Sequence, residues 1–196
     1  MMIGITGPTG AGKTTLLHEV EKLGGAVIDC DVVYHDLLES DIALQDSLEK
    51  AFGPLRDGSG KIDRKKLGEI VFNHPGKLKR LNSIAERQVT ACGCQLIDQY
   101  RRQGRTLIAV DAISLQESQL WDMCDVTVAV LAPPEVRVER IMAREGISKE
   151  YAWARVKAQK PDEYFKRNCS HSLINDSLNV EEFSQKAKSF LEGILR

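Results

Sequence analysis

The sequence predicts an α/β fold built on a doubly wound, five-stranded parallel sheet. Three observations lead there. Apolar segments at 2–6, 26–30, 106–111, 126–131 and 173–174 lack the in–out alternation of half-exposed strands, so both of their faces are buried. Helix-patterned stretches separate them, which is the order of a parallel sheet covered on two sides. The first segment also runs straight into GPTGAGKT at 7–14, a glycine-rich turn between a strand and a helix.

The elements follow one another along the chain. After the strand at 2–6, a helix over 13–23 carries Leu16, Leu17, Val20 and Leu23 on one face, and Gly24-Gly25 ends it. The strand at 26–30 leads into Asp31. From Asp31 to about Arg102 the pattern is mostly helical, broken at Phe52-Gly53-Pro54, at 57–60 and at His74-Pro75-Gly76. Strands return at 106–111 and 126–131. Pro133-Pro134 opens a helix through about Arg144, because proline suits a first helical turn. A helix at 148–160, a brief strand at 173–174 and a helix at 180–195 complete the series. In such sheets ligands bind beyond the carboxyl ends of the strands.

A chain of 196 residues suits one domain. The net charge of −1 gives no bulk attraction to nucleic acid or to an anionic membrane. No apolar run approaches the roughly 18 residues of a membrane span, and the N-terminus has no leader pattern, so a cytoplasmic protein is expected. Cys30, Cys92, Cys94, Cys124 and Cys169 are odd in number, form no C-x-x-C and have no histidine at zinc-site spacing. Buried or free thiols in a reducing compartment are expected, without zinc or a disulfide framework. A monomer or weak homo-oligomer is expected.

Gly7, Gly12, Lys13 and Thr14 complete the pattern G-x-x-x-x-G-K-[ST]. Glycine lets the backbone approach phosphate oxygens, and amides from Gly10 to Thr14, including Ala11 and Gly12, can cradle them at a helix start. Lys13 then bridges the β- and γ-phosphates of ATP, and the Thr14 hydroxyl ligates Mg²⁺. The chain carries neither the N-K-x-D motif of GTPases nor the L-S-G-G-Q signature of transporter ATPases. A compact kinase remains, which needs an acceptor site and a basic lid.

Asp29 and Asp31, two positions apart, project to one side if the chain is still extended there. One could accept a proton from an acceptor hydroxyl, while the other reading makes Asp31 a helix N-cap. Asp111 ends a strand where a metal-binding carboxylate sits in such enzymes, and a turn-forming aspartate is the alternative. Residues 137–167 hold nine Lys/Arg against five Asp/Glu. Arg137, Arg140 and Arg144 share one helical face, suited either to a transferring phosphoryl group or to a solvated surface. Trp121 and Trp153 fit core or interface positions and receive no role.

In this order the motifs resemble the dephospho-CoA kinase family. The resemblance rests on IGITGPTGAGKTT, VIDCD, GKIDRKKLGEIVFNHPGKLKRLNSI, VDAISLQES, RIMAREGISKEYAWARVKAQKP and LIND, and it spans nearly the whole chain. It implies a P-loop kinase with a helical acceptor-binding insertion at about 32–105 and a helical lid at about 137–170. It implies ATP and Mg²⁺, with dephospho-CoA as the small-molecule acceptor. By position it makes Asp31 the base, Arg140 and Arg144 lid arginines, and Gly10 to Thr15 the nucleotide loop. It places Asn175 near the adenine and Glu117 with Asp29 and His35 on the acceptor side. The chain departs from the family pattern at His35, where an arginine is common. It departs again at Glu86-Arg87 in place of His-Pro, at 113–117, and at Cys169-Ser170-His171 in place of Ala-Asp-Tyr. A kinase for another nucleotide or nucleoside, and a nucleotide-binding protein without turnover, are the alternatives.

Overall fold

The computed structural model describes residues 1–71, 74–177 and 179–195. The Phe72-Asn73 pair of the quoted helical motif lies outside the described residues. Two compact units divide the chain: Met1–Ile28 with Ile97–Arg196, and Asp29–Leu96.

The first unit holds the sheet. Its strands are β1 (Met2–Thr6), β2 (Ala26–Asp29, whose last residue belongs to the second unit), β3 (Ile108–Asp111), β4 (Val126–Leu131) and β5 (His171–Ile174). They lie in the order β2-β3-β1-β4-β5, and β3, β1, β4 and β5 pair in parallel. Helices cover the sheet: α1 (Lys13–Lys22) and α9 (Val180–Ile194) pack with Ile3, Ile5, Val128 and Val130 in one core. This is the predicted doubly wound sheet. Because β3 and β4 flank β1 on opposite sides, the loop after β1 sits where the strand order reverses.

Three differences from the expected elements have local causes. Cys30 is helical rather than strand, since the Asp29 side chain caps a helix that begins at once. A second cap at Asp41 splits the first predicted helical stretch into α2 (Cys30–Ser40) and α3 (Ile42–Phe52). The helix expected over 148–160 stops early. It forms α7 (Lys149–Lys157), and Pro161 then starts a separate helix, α8 (Asp162–Asn168), after α6 (Pro134–Glu145).

The second unit is helical: α2, α3, α4 (Arg64–Val71) and most of α5 (Pro75–Arg102). Leu38, Leu44, Leu48, Leu55, Leu67 and Val71 form its core. Between α3 and α4 the chain turns through Asp57, whose carboxylate accepts the amides of Ser59 and Lys61. No described helix is long and apolar enough to cross a membrane.

Candidate active site

The phosphate loop is shaped by steric exclusion. Gly7 has φ 140°, and a Cβ there would stand 2.1 Å from the Val130 carbonyl oxygen. Gly12 has φ 103°, and its Cβ would stand 2.2 Å from Asn175 Nδ2. Both positions are closed to any side chain. Within the loop the Ala11 amide donates to the Pro8 carbonyl, so it is engaged internally. The amides of Lys13 and Thr14 open α1, where a helix start offers its N–H groups to an anion, while the Thr15 amide already donates to the Gly12 carbonyl at 3.0 Å. The Lys13 ammonium donates to the Gly7 carbonyl at 3.1 Å, which keeps it over the loop.

The loop is held from outside by residues far along the chain. Asn175, buried, donates from Nδ2 to the Ala11 carbonyl at 2.8 Å. Arg140 donates to the Gly10 and Ala11 carbonyls at 3.0 and 3.3 Å, to Asn175 Oδ1 at 2.8 Å, and to the Ser177 carbonyl. Arg137 donates from Nε to the Thr9 carbonyl at 3.0 Å and from Nη2 to Gln159 Oε1 at 2.6 Å. That same Gln159 oxygen accepts the Thr9 amide at 3.0 Å, while Gln159 Nε2 donates to the Thr9 hydroxyl at 2.7 Å. Burial pushes the Arg137 guanidinium down from its ordinary range, and Asp162 at 4.0 Å opposes this.

The arginine face therefore divides by function. Arg137 and Arg140 brace loop carbonyls, whereas Arg144 lies at the surface and donates to Glu145 at 2.6 Å. Glu145 also takes Arg155, and the Arg144 contact is first among the causes holding its carboxyl below the usual range. Asn175 meets the loop backbone. Composition and periodicity did not single out Gln159, because its loop partner Thr9 lies 150 residues away.

The Asp29-Asp31 geometry differs from the extended pair that the spacing suggests. Asp29 Oδ1 accepts the amides of Asp31 and Val32 at 2.9 and 3.1 Å, so Asp29 is the N-cap of α2. The chain has turned helical by Cys30, which removes the same-side projection. Asp31 lies exposed in the first turn and is not the cap.

Asp111 is buried and pairs in register with Ile5, two residues before the loop. Thr14 is exposed on the first turn of α1. Both offer hard oxygen donors, which suits Mg²⁺. Among the described residues no cluster of three or more His, Cys, Asp or Glu could cage a metal. A cation there would therefore be completed by phosphate oxygens and water, the usual manner of Mg²⁺.

The model of the dephospho-CoA kinase family matches residues 1–182. The chain belongs to the dephospho-CoA kinase family. A dephospho-CoA kinase of Dehalococcoides mccartyi is 31% identical over 182 residues, covering 92% of this chain and 91% of its own length. One from Bacillus licheniformis is 30% identical over 194 residues, covering 98% and 96%. Among solved structures, a Thermus thermophilus protein superposes with a TM-score of 0.80 at 29% identity, over 100% of this chain and 98% of that one. Dephospho-CoA kinase from Campylobacter jejuni gives 0.72 at 22% identity, over 98% and 96%, a likeness of fold.

In this member of the dephospho-CoA kinase family, His35 lies one turn beyond Asp31 on α2. It meets Arg64 of α4, whose Nη2 is 2.5 Å from His35 Nδ1 and 3.1 Å from Nε2. Contact with both ring nitrogens sets the guanidinium against the imidazole rather than on one lone pair. Glu117, in a short 3-10 turn of the first unit, accepts the Tyr164 hydroxyl at 3.5 Å.

Proposed function

We propose that the chain transfers the γ-phosphoryl group of ATP to the ribose 3′-hydroxyl of dephospho-CoA, giving CoA and ADP. The phosphate loop supports this most: its shape, its lysine and its helix start suit a nucleoside triphosphate, in a chain whose family is named for this acceptor. Amides of the loop and Lys13 bind the β- and γ-phosphates and hold the transferring group in line. Asp31 takes the proton of the 3′-hydroxyl as the oxygen bonds to phosphorus, and the bond from that phosphorus to the ADP oxygen breaks. The Thr14 hydroxyl and the Asp111 carboxylate would hold Mg²⁺, which would supply positive charge to offset that of the phosphates. Arg144, with its exposed head, supplies charge to the transferring group. Arg140 positions the loop through its carbonyls.

An assay coupled to ADP release, run with dephospho-CoA, adenosine and nucleoside monophosphates, tests this reading. Turnover with dephospho-CoA is the expected result. Turnover with another acceptor and none with dephospho-CoA overturns the assignment, and nucleotide binding without any turnover overturns the enzyme reading altogether.

A further inference from the structure

Helix α7 presents two unlike faces. Ala152 and Val156 are buried and pack on Val138 and Ile141 of α6. Glu150, Trp153, Ala154 and Lys157 point away from that core, about 130° round the helix axis at 100° per residue. Together they line a groove of 520 Å³, and among the described residues only α7 lines it. Glu150, Ala154 and Lys157 are exposed, and Trp153 is half-buried with one side against the α6–α7 core. The Lys157 ammonium stands 5.8 Å over the Trp153 ring. Among the described residues neither Glu150 nor Lys157 forms an ion pair. The face is thus an indole with an unpaired charge of each sign at its two ends.

A stripe at i, i+3, i+4 and i+7 maps onto itself when two copies of a helix pack antiparallel about a two-fold axis. An axis between positions 153 and 154 sets position 150 of one copy against 157 of the other, and 153 against 154. Any such stripe has this positional symmetry. Here the chemistry suits it as well. The ends carry opposite charges, so both end pairs join a carboxylate to an ammonium. A parallel pairing in register would instead set Glu150 against Glu150 and Lys157 against Lys157. The two charges lie about 10 Å apart along the axis, so one register satisfies both pairs. At the centre each indole meets an alanine, a large side chain against a small one, as close helix packing requires. We propose that this face of α7 is a docking surface for a second copy of this chain, packed antiparallel about a two-fold axis. One helix face buries less than the roughly 1,200 Å² of a stable interface, so the dimer is weak, with a dissociation constant on the order of 100 µM. Because α7 packs on α6, which carries Arg137 and Arg140, the dimer ties together the helices that brace two phosphate loops.

Two charge reversals, alone and mixed, test this by sedimentation equilibrium. Wild type, followed from about 10 µM to about 1 mM, should show a monomer–dimer equilibrium that weakens as salt rises from about 0.05 to about 0.5 M. Lys157→Glu sets carboxylates against carboxylates across the axis, and Glu150→Lys sets ammonium against ammonium. Both positions are exposed, so neither change removes a core contact. In each variant alone the dissociation constant should rise about tenfold or more. Mixed in equal amounts, the two variants should associate as wild type does, since every carboxylate again faces an ammonium. That recovery also separates charge pairing from misfolding, because a misfolded variant gains nothing from its companion. Wild type that stays monomeric at the highest concentration overturns the proposal and leaves the face to a different protein. A dimer that neither reversal weakens overturns it by placing the contact elsewhere. Association lost in both variants and not restored by mixing overturns the two-fold pairing.

Discussion

Asp29 and Asp31 stand two positions apart and do different work. The Asp29 carboxylate is engaged with two backbone amides at the start of α2. Asp29→Ala should therefore lower unfolding free energy by about 0.5–2 kcal/mol, read from a urea melt. Asp31 bears no capping duty, so Asp31→Asn should cut kcat by about 10²–10⁴ with an unchanged melt. A loss of stability without a loss of kcat would remove Asp31 from the chemistry. The spacing of the two aspartates was legible in the sequence. Which of them caps was not, because that depended on the residue at which the strand gives way to the helix.

The elements most exposed to test are the phosphate loop and the segments that brace it. Gly12→Ala places a Cβ against Asn175 Nδ2 at a φ of 103°, so nucleotide binding should be lost along with some stability, as titration with a fluorescent nucleotide would show. Gln159→Ala leaves the Thr9 amide and Arg137 short of an acceptor. Its KM for ATP should rise about tenfold with a smaller change in kcat, and Gln159→Glu should recover much of this because it keeps the accepting oxygen. Equal loss in both variants would mean that Gln159 does not position the loop. The loop itself was readable from eight residues, because its conformation is demanded by glycines and a lysine at fixed offsets. The brace was not. Arg137, Arg140 and Arg144 share a helical period, and no period tells which of them turns toward backbone carbonyls 128 and 130 residues away.

Across the whole molecule, the sheet order and the crossing helices were legible because unalternating strands between amphipathic helices have few topologies available. The buried polar contact that joins α1 to α9 was not. Glu19 on α1 is buried and bonds to Lys22 at 2.6 Å and to Ser184 on α9. The Lys22 hydrogen bond, then that of Ser184, holds its carboxyl below the usual range. A depressed carboxyl favours the native state above its ordinary titration range, and this contribution is lost as pH falls through the depressed value. Wild type should thus lose melting temperature on acidification more steeply than Glu19→Gln, and parallel curves would refute the assignment. Burial also pushes the Cys124 thiol to about 12 and that of Cys169 to about 11, so both should resist alkylation in the native state. The long-range bracing of the loop has a consequence for biosynthesis. The phosphate loop is synthesised well before Arg137, Gln159 and Asn175, which shape it from up to 164 positions further along the chain. A chain truncated before Asn175 should hold nucleotide poorly, because the Ala11 carbonyl then loses the amide that fixes it.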